Sequence, residues 1–217
     1  GMSSNVYENL LSLGVDVTHL TNNEQIEKHR IVDLTYRQQL IRYDIGEKNI
    51  KPLELKKLKS GFDIIVISDY NKGFINEDQI SYISNNDVAK YICEFYKDIP
   101  IFVDTKKKNL KCFSNCYIKI NNMEYELLED YNKDCELIVT LGGKGALYNN
   151  QIYKTKKVEV YDVCGAGDVF LSALVYKFSM NKNIKSAIHT ANRLASYTVT
   201  KLGTYVLTKE DIHNLAN

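Results

Sequence analysis

The sequence predicts an α/β protein built on an open, mainly parallel sheet. Two observations carry that expectation: short β-branched runs alternate with apolar-periodic stretches after residue 60, and the chain beyond Gly165 turns helical. With 217 residues and 44% hydrophobic composition it can bury the core of a single domain, taken here as 1–217.

The elements follow in order. "SSNVYENLLSLGVDV" (3–17) reads as one helix. In "EKHRIVDLTYRQQLIRYDI", the segments 31–36 and 39–45 are extended and alternate in polarity, which suits a hairpin (27–46) that covers something rather than a core sheet. "FDIIVIS" (62–68) is nearly continuous in apolar residues, the pattern of a strand buried on both faces. A helix is expected over 77–97, with Ile80, Ile83, Tyr91, Ile92 and Phe95 on one side. Pro100 then precedes the short strand "IFVD". "CYIKI" (116–120) is the next strand and "NMEYELLED" reads as a helix after it. "CELIVTLG" (135–142) is a further strand, and "GALYNNQIYKT" reads as a hairpin turning at Asn149 and Asn150. "AGDVFLSALVYKFSM" and "IKSAIHTANRLASYTVTKLG" each bury one side at helical spacing, with Gly203 expected to end the second.

Charge and cysteine usage exclude several classes. A net charge of +1, from 28 basic and 27 acidic residues, advertises neither a nucleic-acid nor an acidic-membrane partner. No apolar run approaches the roughly 20 residues of a membrane span, and no signal-peptide pattern opens the chain. Cys93, Cys112, Cys116, Cys135 and Cys164 form a scattered, odd set without a zinc spacing, so reduced thiols in a cytoplasmic protein are expected. His19, His29, His189 and His213 show no catalytic or metal spacing, and Lys144 in "GGKG" reads as an exposed loop lysine. The 16 tyrosines read mostly as packing residues, with Tyr43 and Tyr70 as candidates to line a small-molecule site.

Chemistry concentrates in "YDVCGAGDVF" (161–170). The small residues Gly165, Ala166 and Gly167 let consecutive backbone N–H groups converge where a helix begins, which makes an anion site. Asp168 falls in the first helical turn. A carboxylate beside an anion site is electrostatically awkward unless it takes a proton from an incoming hydroxyl, and that combination fits phosphoryl transfer. Ordinary helix punctuation explains the ten residues equally well, and they match neither the Walker A loop nor the full dinucleotide fingerprint. Context favours the chemical reading. "VISDYNKGF", "VDTKKK", "IKINNMEYE" and "VTLGGKGALY" all place polar or glycine-rich loops at strand carboxyl ends, where open α/β sheets bind ligands.

These residues resemble the ribokinase-type (PfkB) carbohydrate kinases, whose signature "DVCGAGDVF" is similar to. "ISDYNKGF", "VDTK", "INNMEYE", "VTLGGKGA" and "ANRLASYTVTKLGT" follow in the family's order. "RQQLIRYD" and "SDYNKG" most resemble the heptose-phosphate kinase branch, the kinase domain of a bifunctional ADP-heptose synthesis enzyme. The resemblance implies a three-layer α/β/α fold with a small β lid, and ATP-dependent phosphorylation of a sugar or sugar phosphate. It implies Asp168 as general base and the 165–167 backbone as anion hole. Asn121 and Glu124 would organise Mg2+ and the nucleotide phosphates, Glu124 acting through water. Thr140, Gly142 and Gly145 would line the ATP phosphates and ribose, and Asn192 would flank the adenine. Asp69, Lys72 and Lys106 would form a polar wall for the substrate, and the hairpin around Tyr36 a lid that pairs subunits into a homodimer.

The resemblance also implies an N-terminally truncated member. The family's opening strand, with its sugar-gripping aspartate, and its early Gly-Gly segment have no expected counterpart in residues 1–30, and Cys164 replaces a small or hydroxylated residue. A weakened sugar site, surviving nucleotide binding and self-association through exposed sheet would follow. Two other readings stay open: a non-catalytic nucleotide-binding or assembly module, and an incomplete gene fragment.

Overall fold

The fold is known from a computed structural model that describes residues 2–33, 35, 38–47, 50–76 and 87–215. In chain order the elements are α1 (Met2–Ser12), β1 (Glu27–Asp33), β2 (Gln38–Ile45), β3 (Ile65–Asp69), α2 (Val88–Phe95), β4 (Ile101–Thr105), β5 (Asn109–Leu110), β6 (Tyr117–Asn121), α3 (Asn122–Glu126), β7 (Asp130–Tyr131), β8 (Glu136–Thr140), β9 (Ala146–Tyr148), β10 (Gln151–Tyr153), α4 (Ala166–Asn181), α5 (Ile184–Thr198) and α6 (Lys209–Leu215). The main sheet runs β10-β9-β8-β6-β4-β3. Its β3, β4, β6 and β8 are parallel, while β9 and β10 form the antiparallel edge. Asn149 and Asn150 turn that edge hairpin with positive φ of 47° and 61°, the geometry a tight two-residue loop requires.

Side chains alternate across the sheet into two cores. Phe102 and Ile138 join Val6 and Leu10 of α1, Leu171 and Leu174 of α4, and Ile188 and Leu194 of α5. Val103, Ile118 and Ile120 face Val88, Ala89 and Ile92 of α2. The result is the expected three-layer α/β/α arrangement. Helix α4 is buried continuously from Asp168 to Val175, so it is apolar nearly all round, as a central helix under a sheet must be.

Several expectations change. The run "FDIIVIS" packs both of its faces, Ile64 and Val66 into one core and Ile67 into the other, yet β3 is the edge strand of the sheet. Ile80 and Ile83 lie outside the described residues. Of the other positions placed on one helix side, only Ile92 is buried; Tyr91 and Phe95 are exposed and stack on each other at 5.9 Å. The helix after "CYIKI" shrinks to five residues, because Met123, Tyr125 and Leu127 find nothing to pack against. Helix α5 ends at Thr198, and Gly203 (φ 76°) instead sits in a later turn, where its N–H donates to Asp162 Oδ2 at 3.0 Å.

The hairpin β1–β2 forms its own antiparallel pair, as expected of a lid. Its tip around Tyr36 lies outside the described residues. Lys28, Arg30, Arg42 and Asp44 occupy one face by register, whereas Ile31, Ile41, Tyr43 and Ile45 occupy the other and are exposed. Among the described residues no helix is long and apolar enough to cross a membrane.

Candidate functional site at the start of helix α4

The site is organised by Gly165, the N-cap of α4, which has φ 78° in the left-handed region. A Cβ at this position would lie 2.8 Å from Asn5 Nδ2, so both backbone conformation and close approach require glycine. Asn5 uses that space to donate to Asp168 Oδ2 at 2.9 Å. It is anchored from α1, whose Asn9 donates to the Asn5 carbonyl at 2.8 Å and whose Val6 and Leu10 are core residues. The first thirty residues therefore reach the site through Asn5 of α1, a contact the sequence reading did not anticipate. The short polar side chains of "NVYEN" recur four apart on one helix face, and that spacing was the available signal.

Asp168 is 1% exposed. Burial pushes its carboxyl up to about 6, opposed by the Asn5 hydrogen bond and by Lys119 and Lys106, while nearby Asp104 pushes the same way as burial. Tyr70 approaches Asp168 Oδ1 at 3.5 Å, the outer limit of a hydrogen bond, and burial together with the Asp168 charge raises its phenol above the usual value. The Tyr70 ring lies between two ammonium groups, Lys28 of the lid at 5.0 Å and Lys106 at 5.6 Å from its centroid. Of the two candidate tyrosines, Tyr70 is at the site. Tyr43 stacks on His29 on the outer lid face.

Beneath the first turn of α4, Lys119 Nζ and Asp104 Oδ2 form a buried ion pair at 2.7 Å, directly opposite each other on β6 and β4. A Cβ at Gly167 would come within 2.9 Å of Lys119 Nζ, so this glycine admits an ammonium to the helix N-terminus. That position is unfavourable for a cation alone and tolerable with Asp104 beside it. A lysine between Ile118 and Ile120 in an apolar strand was the overlooked sign. Of the backbone donors at 165–167, Ala166 N–H turns to Val163 O at 3.3 Å, while no partner is found for those of Gly165 and Gly167 among the described residues.

The other residues singled out from the sequence divide into two groups. Asn121 and Glu124 make a capping box on α3: Glu124 N–H donates to Asn121 Oδ1 at 2.9 Å, and Asn121 N–H to Glu124 Oε2 at 2.8 Å. Glu124 Oε1 pairs with Lys106. With both carboxylate oxygens engaged and an ammonium against one of them, this donor set does not fit a directly bound magnesium ion. Among the described residues no cluster of three or more potential ligands exists.

Asp69 is buried and spent on its own strand ends, accepting from Thr105 Oγ1 at 2.9 Å and Asn71 N–H at 2.8 Å. Lys72 pairs with Glu47 at 2.5 Å, tying the loop after β3 to the end of the lid. Thr140 ends β8 next to the turn of Gly142 and Gly145. At Gly145, with φ 100°, a Cβ would fall 2.0 Å from Tyr153 O, so this glycine closes the turn against the neighbouring strand. Asn192 donates to the same Tyr153 carbonyl at 2.6 Å and is buried, so its side chain fixes α5 to the sheet edge rather than facing a cleft. Lys144 is exposed, as expected.

Hairpin β1–β2 brings Arg30 and Arg42 within electrostatic reach of the loop that leads into α4. Despite burial, Asp162 is held below the usual carboxylate value by the Cys164 and Gly203 N–H groups and by Arg30. Burial and Asp162 raise the Cys164 thiol, while Arg30 and Arg42 pull it down. Alanine at Gly165 is expected to lower stability by about 1–2 kcal/mol through left-handed strain. It should also displace Asn5 from Asp168. Thermal denaturation and the pH midpoint of Asp168 titration check both consequences.

Residues 120–211 match the family model described as pfkB family carbohydrate kinase. A bifunctional protein HldE from Aliarcobacter butzleri is 29% identical over 237 residues, covering 96% of this chain and 50% of its own length. One from Helicobacter hepaticus is 30% identical, covering 94% of this chain and 48% of its own. The chain thus spans about half the length of the curated relatives it matches. A ribokinase structure from Thermotoga maritima superposes with a TM-score of 0.71 at 17% identity, over 99% of this chain and 86% of that one. Phosphofructokinase-2 from Escherichia coli, in complex with substrates and products, gives 0.68 at 14% identity, over 98% and 85%. Residues 120–211 thus carry the similarity to pfkB family carbohydrate kinases, and the chain has a ribokinase-like fold.

Proposed function

We propose that the chain transfers the γ-phosphoryl group of ATP to a hydroxyl of a sugar phosphate, a heptose phosphate being the favoured acceptor. The observation that carries this reading is Asp168, a buried carboxylate raised to about 6, beside helix-start N–H groups that have no partner among the described residues. A base of that pKa is mostly ionised at neutral pH and still accepts a proton readily as the oxygen–phosphorus bond forms. Asp168 takes the acceptor hydroxyl proton at Oδ1, while Asn5 holds Oδ2 and so fixes the carboxylate plane. The Gly165 and Gly167 N–H groups, with Lys119 and Lys106 nearby, stabilise charge on the moving phosphoryl. Thr140, Gly142 and Gly145 would accept the nucleotide. Magnesium would travel with the nucleotide phosphates and meet Glu124 only through water.

The lid supports a phosphorylated acceptor. Arg30 and Arg42 stand directly opposite each other on β1 and β2, with Lys28 on the same face. Asp44 on the same face already holds Arg42, at 2.9 and 2.5 Å, so an incoming anion would be met chiefly by Arg30 and Lys28. The pfkB carbohydrate kinase model matched by residues 120–211 supports a sugar acceptor. The exposed outer lid face, Ile31, Ile41, Tyr43 and Ile45, suits pairing with a second copy.

ADP release is to be measured across a panel of sugars and sugar phosphates with Mg-ATP. Turnover should be confined to phosphorylated acceptors. Arg30→Gln should raise KM for the acceptor by about tenfold, the equivalent of about 1.4 kcal/mol, with kcat little changed. No thermal stabilisation by Mg-ATP, or equal turnover of unphosphorylated sugars, would overturn the proposal.

A further inference from the structure

We propose that Cys116 and Cys135 are an oxidisable thiol pair, a modification site for a hydroperoxide at the end of the sheet opposite the phosphoryl-transfer site. The two cysteines immediately precede the parallel strands β6 and β8, whose far ends carry Asn121 and Thr140. Their backbones are joined by Glu136 N–H donating to Cys116 O at 2.9 Å, and their sulfurs lie 3.5 Å apart. A rotation about the Cα–Cβ bonds brings such sulfurs to the roughly 2.05 Å of a disulfide without separating the strands.

A third thiol completes the cluster, since Cys93 of α2 is in hydrogen-bonding contact with Cys116. Cys116 is buried behind its partner, whereas Cys135 is less walled off than its burial suggests. Cys135 lines an open cleft of about 460 Å³ together with Tyr125, Tyr131, Lys133 and Tyr148. Cys135 is therefore the thiol that peroxide reaches, and Cys116 the one behind it. Contact with Cys135 and Cys93, added to burial, raises the Cys116 thiol, which makes its attack the slow step.

The chemistry balances with hydrogen peroxide as oxidant. The Cys135 sulfur attacks one peroxide oxygen, the O–O bond breaks, and a sulfenic acid and one water result. The Cys116 sulfur then attacks the Cys135 sulfur, forming the S–S bond and releasing the sulfenic oxygen as a second water. Two thiols are oxidised by two electrons and one peroxide is reduced to two waters. The bond closes a loop between positions 19 apart, which contains β6, α3 and β7 and hence Asn121 and Glu124.

The test treats the native full chain with hydrogen peroxide, then alkylates, digests and maps it by mass spectrometry. A Cys116–Cys135 cross-linked peptide is expected, lighter by two hydrogens and reversed by dithiothreitol, with free thiols falling by two from five. The oxidised protein should melt a few degrees higher, as a loop closure of this size predicts. Cys116→Ser and Cys135→Ala should each abolish the cross-link, and Cys164→Ser should leave it. Oxidation only at Cys164, Cys135 trapped as sulfinic acid, or a mixture of disulfides among all the buried cysteines would each overturn the proposal. The wild-type map decides the question even if a core variant fails to fold.

Discussion

Asp168→Asn should reduce phosphoryl transfer by about 10²–10⁴-fold, the range a positioned general base contributes. Nucleotide affinity should stay unchanged, because the nucleotide loops do not depend on this carboxylate. The wild-type rate should rise with pH through about 6, since only the ionised form can take the proton. The variant should lose that limb of the profile. Its stability should move the other way. The folded carboxyl is raised above its ordinary value of 3.8, so the favourable contribution to stability is complete at low pH and is lost as pH rises through about 6. Above that pH the buried charge costs up to about 3 kcal/mol. Asparagine keeps an oxygen for the Asn5 N–H and carries no charge, so the inactive variant should melt higher than wild type at pH 8. Paired melting curves at pH 3 and pH 8 check this; the difference should open between about 3.8 and about 6 and be full at the higher pH. A variant that melts lower at pH 8, or one that keeps wild-type turnover, would remove Asp168 from the role of buried base.

Lys119→Met should be the most damaging single change near the site. Lys119 and Asp104 are each about 4% exposed at their side chains, and their 2.7 Å contact is the main compensation for two desolvated charges. Among the described residues the second oxygen of Asp104 has no hydrogen-bond partner, so the ammonium is its main compensation. Breaking such a pair from one side costs about 3–5 kcal/mol. It also leaves the Asp104 charge uncompensated near Asp168, and both changes push Asp168 further upward. The pH midpoint of any residual activity should therefore shift above 6. Adding Asp104→Asn should recover much of the stability and return the midpoint toward the wild-type position. Urea unfolding of the two single variants and the double variant gives the coupling energy directly. A coupling below about 1 kcal/mol would mean that the pair is not electrostatically isolated from water.

The sheet was legible because apolar strands, punctuated by turn residues, have few other ways to bury themselves. "IFVD", "CYIKI" and "CELIVTLG" became β4, β6 and β8, and the Asn149–Asn150 turn sits where two consecutive positive φ values are needed. The reach of α3 was not legible. Its capping box is written locally in Asn121 and Glu124, but its length depended on whether Met123 and Tyr125 met a core, and they do not. Asn192 shows the same limit. Its place on the helix was clear, while the partner of its side chain, the Tyr153 carbonyl, came from a hairpin 39 residues away in sequence.

The sequence by itself determined the glycine-rich helix start that carries the candidate site. A helix start made of Gly165, Ala166 and Gly167 with Asp168 behind it is a local feature, carried by φ preference and the helix N-terminus. Tertiary structure alone decided what surrounds that carboxylate. Asn5 arrives from 163 residues earlier, Tyr70 from 98, and the Lys119–Asp104 pair from two neighbouring strands. The pKa of a buried acid is set by desolvation and by charges within a few ångströms, whatever their distance along the chain. The sequence could therefore single out Asp168, and only the fold could bring it to about 6.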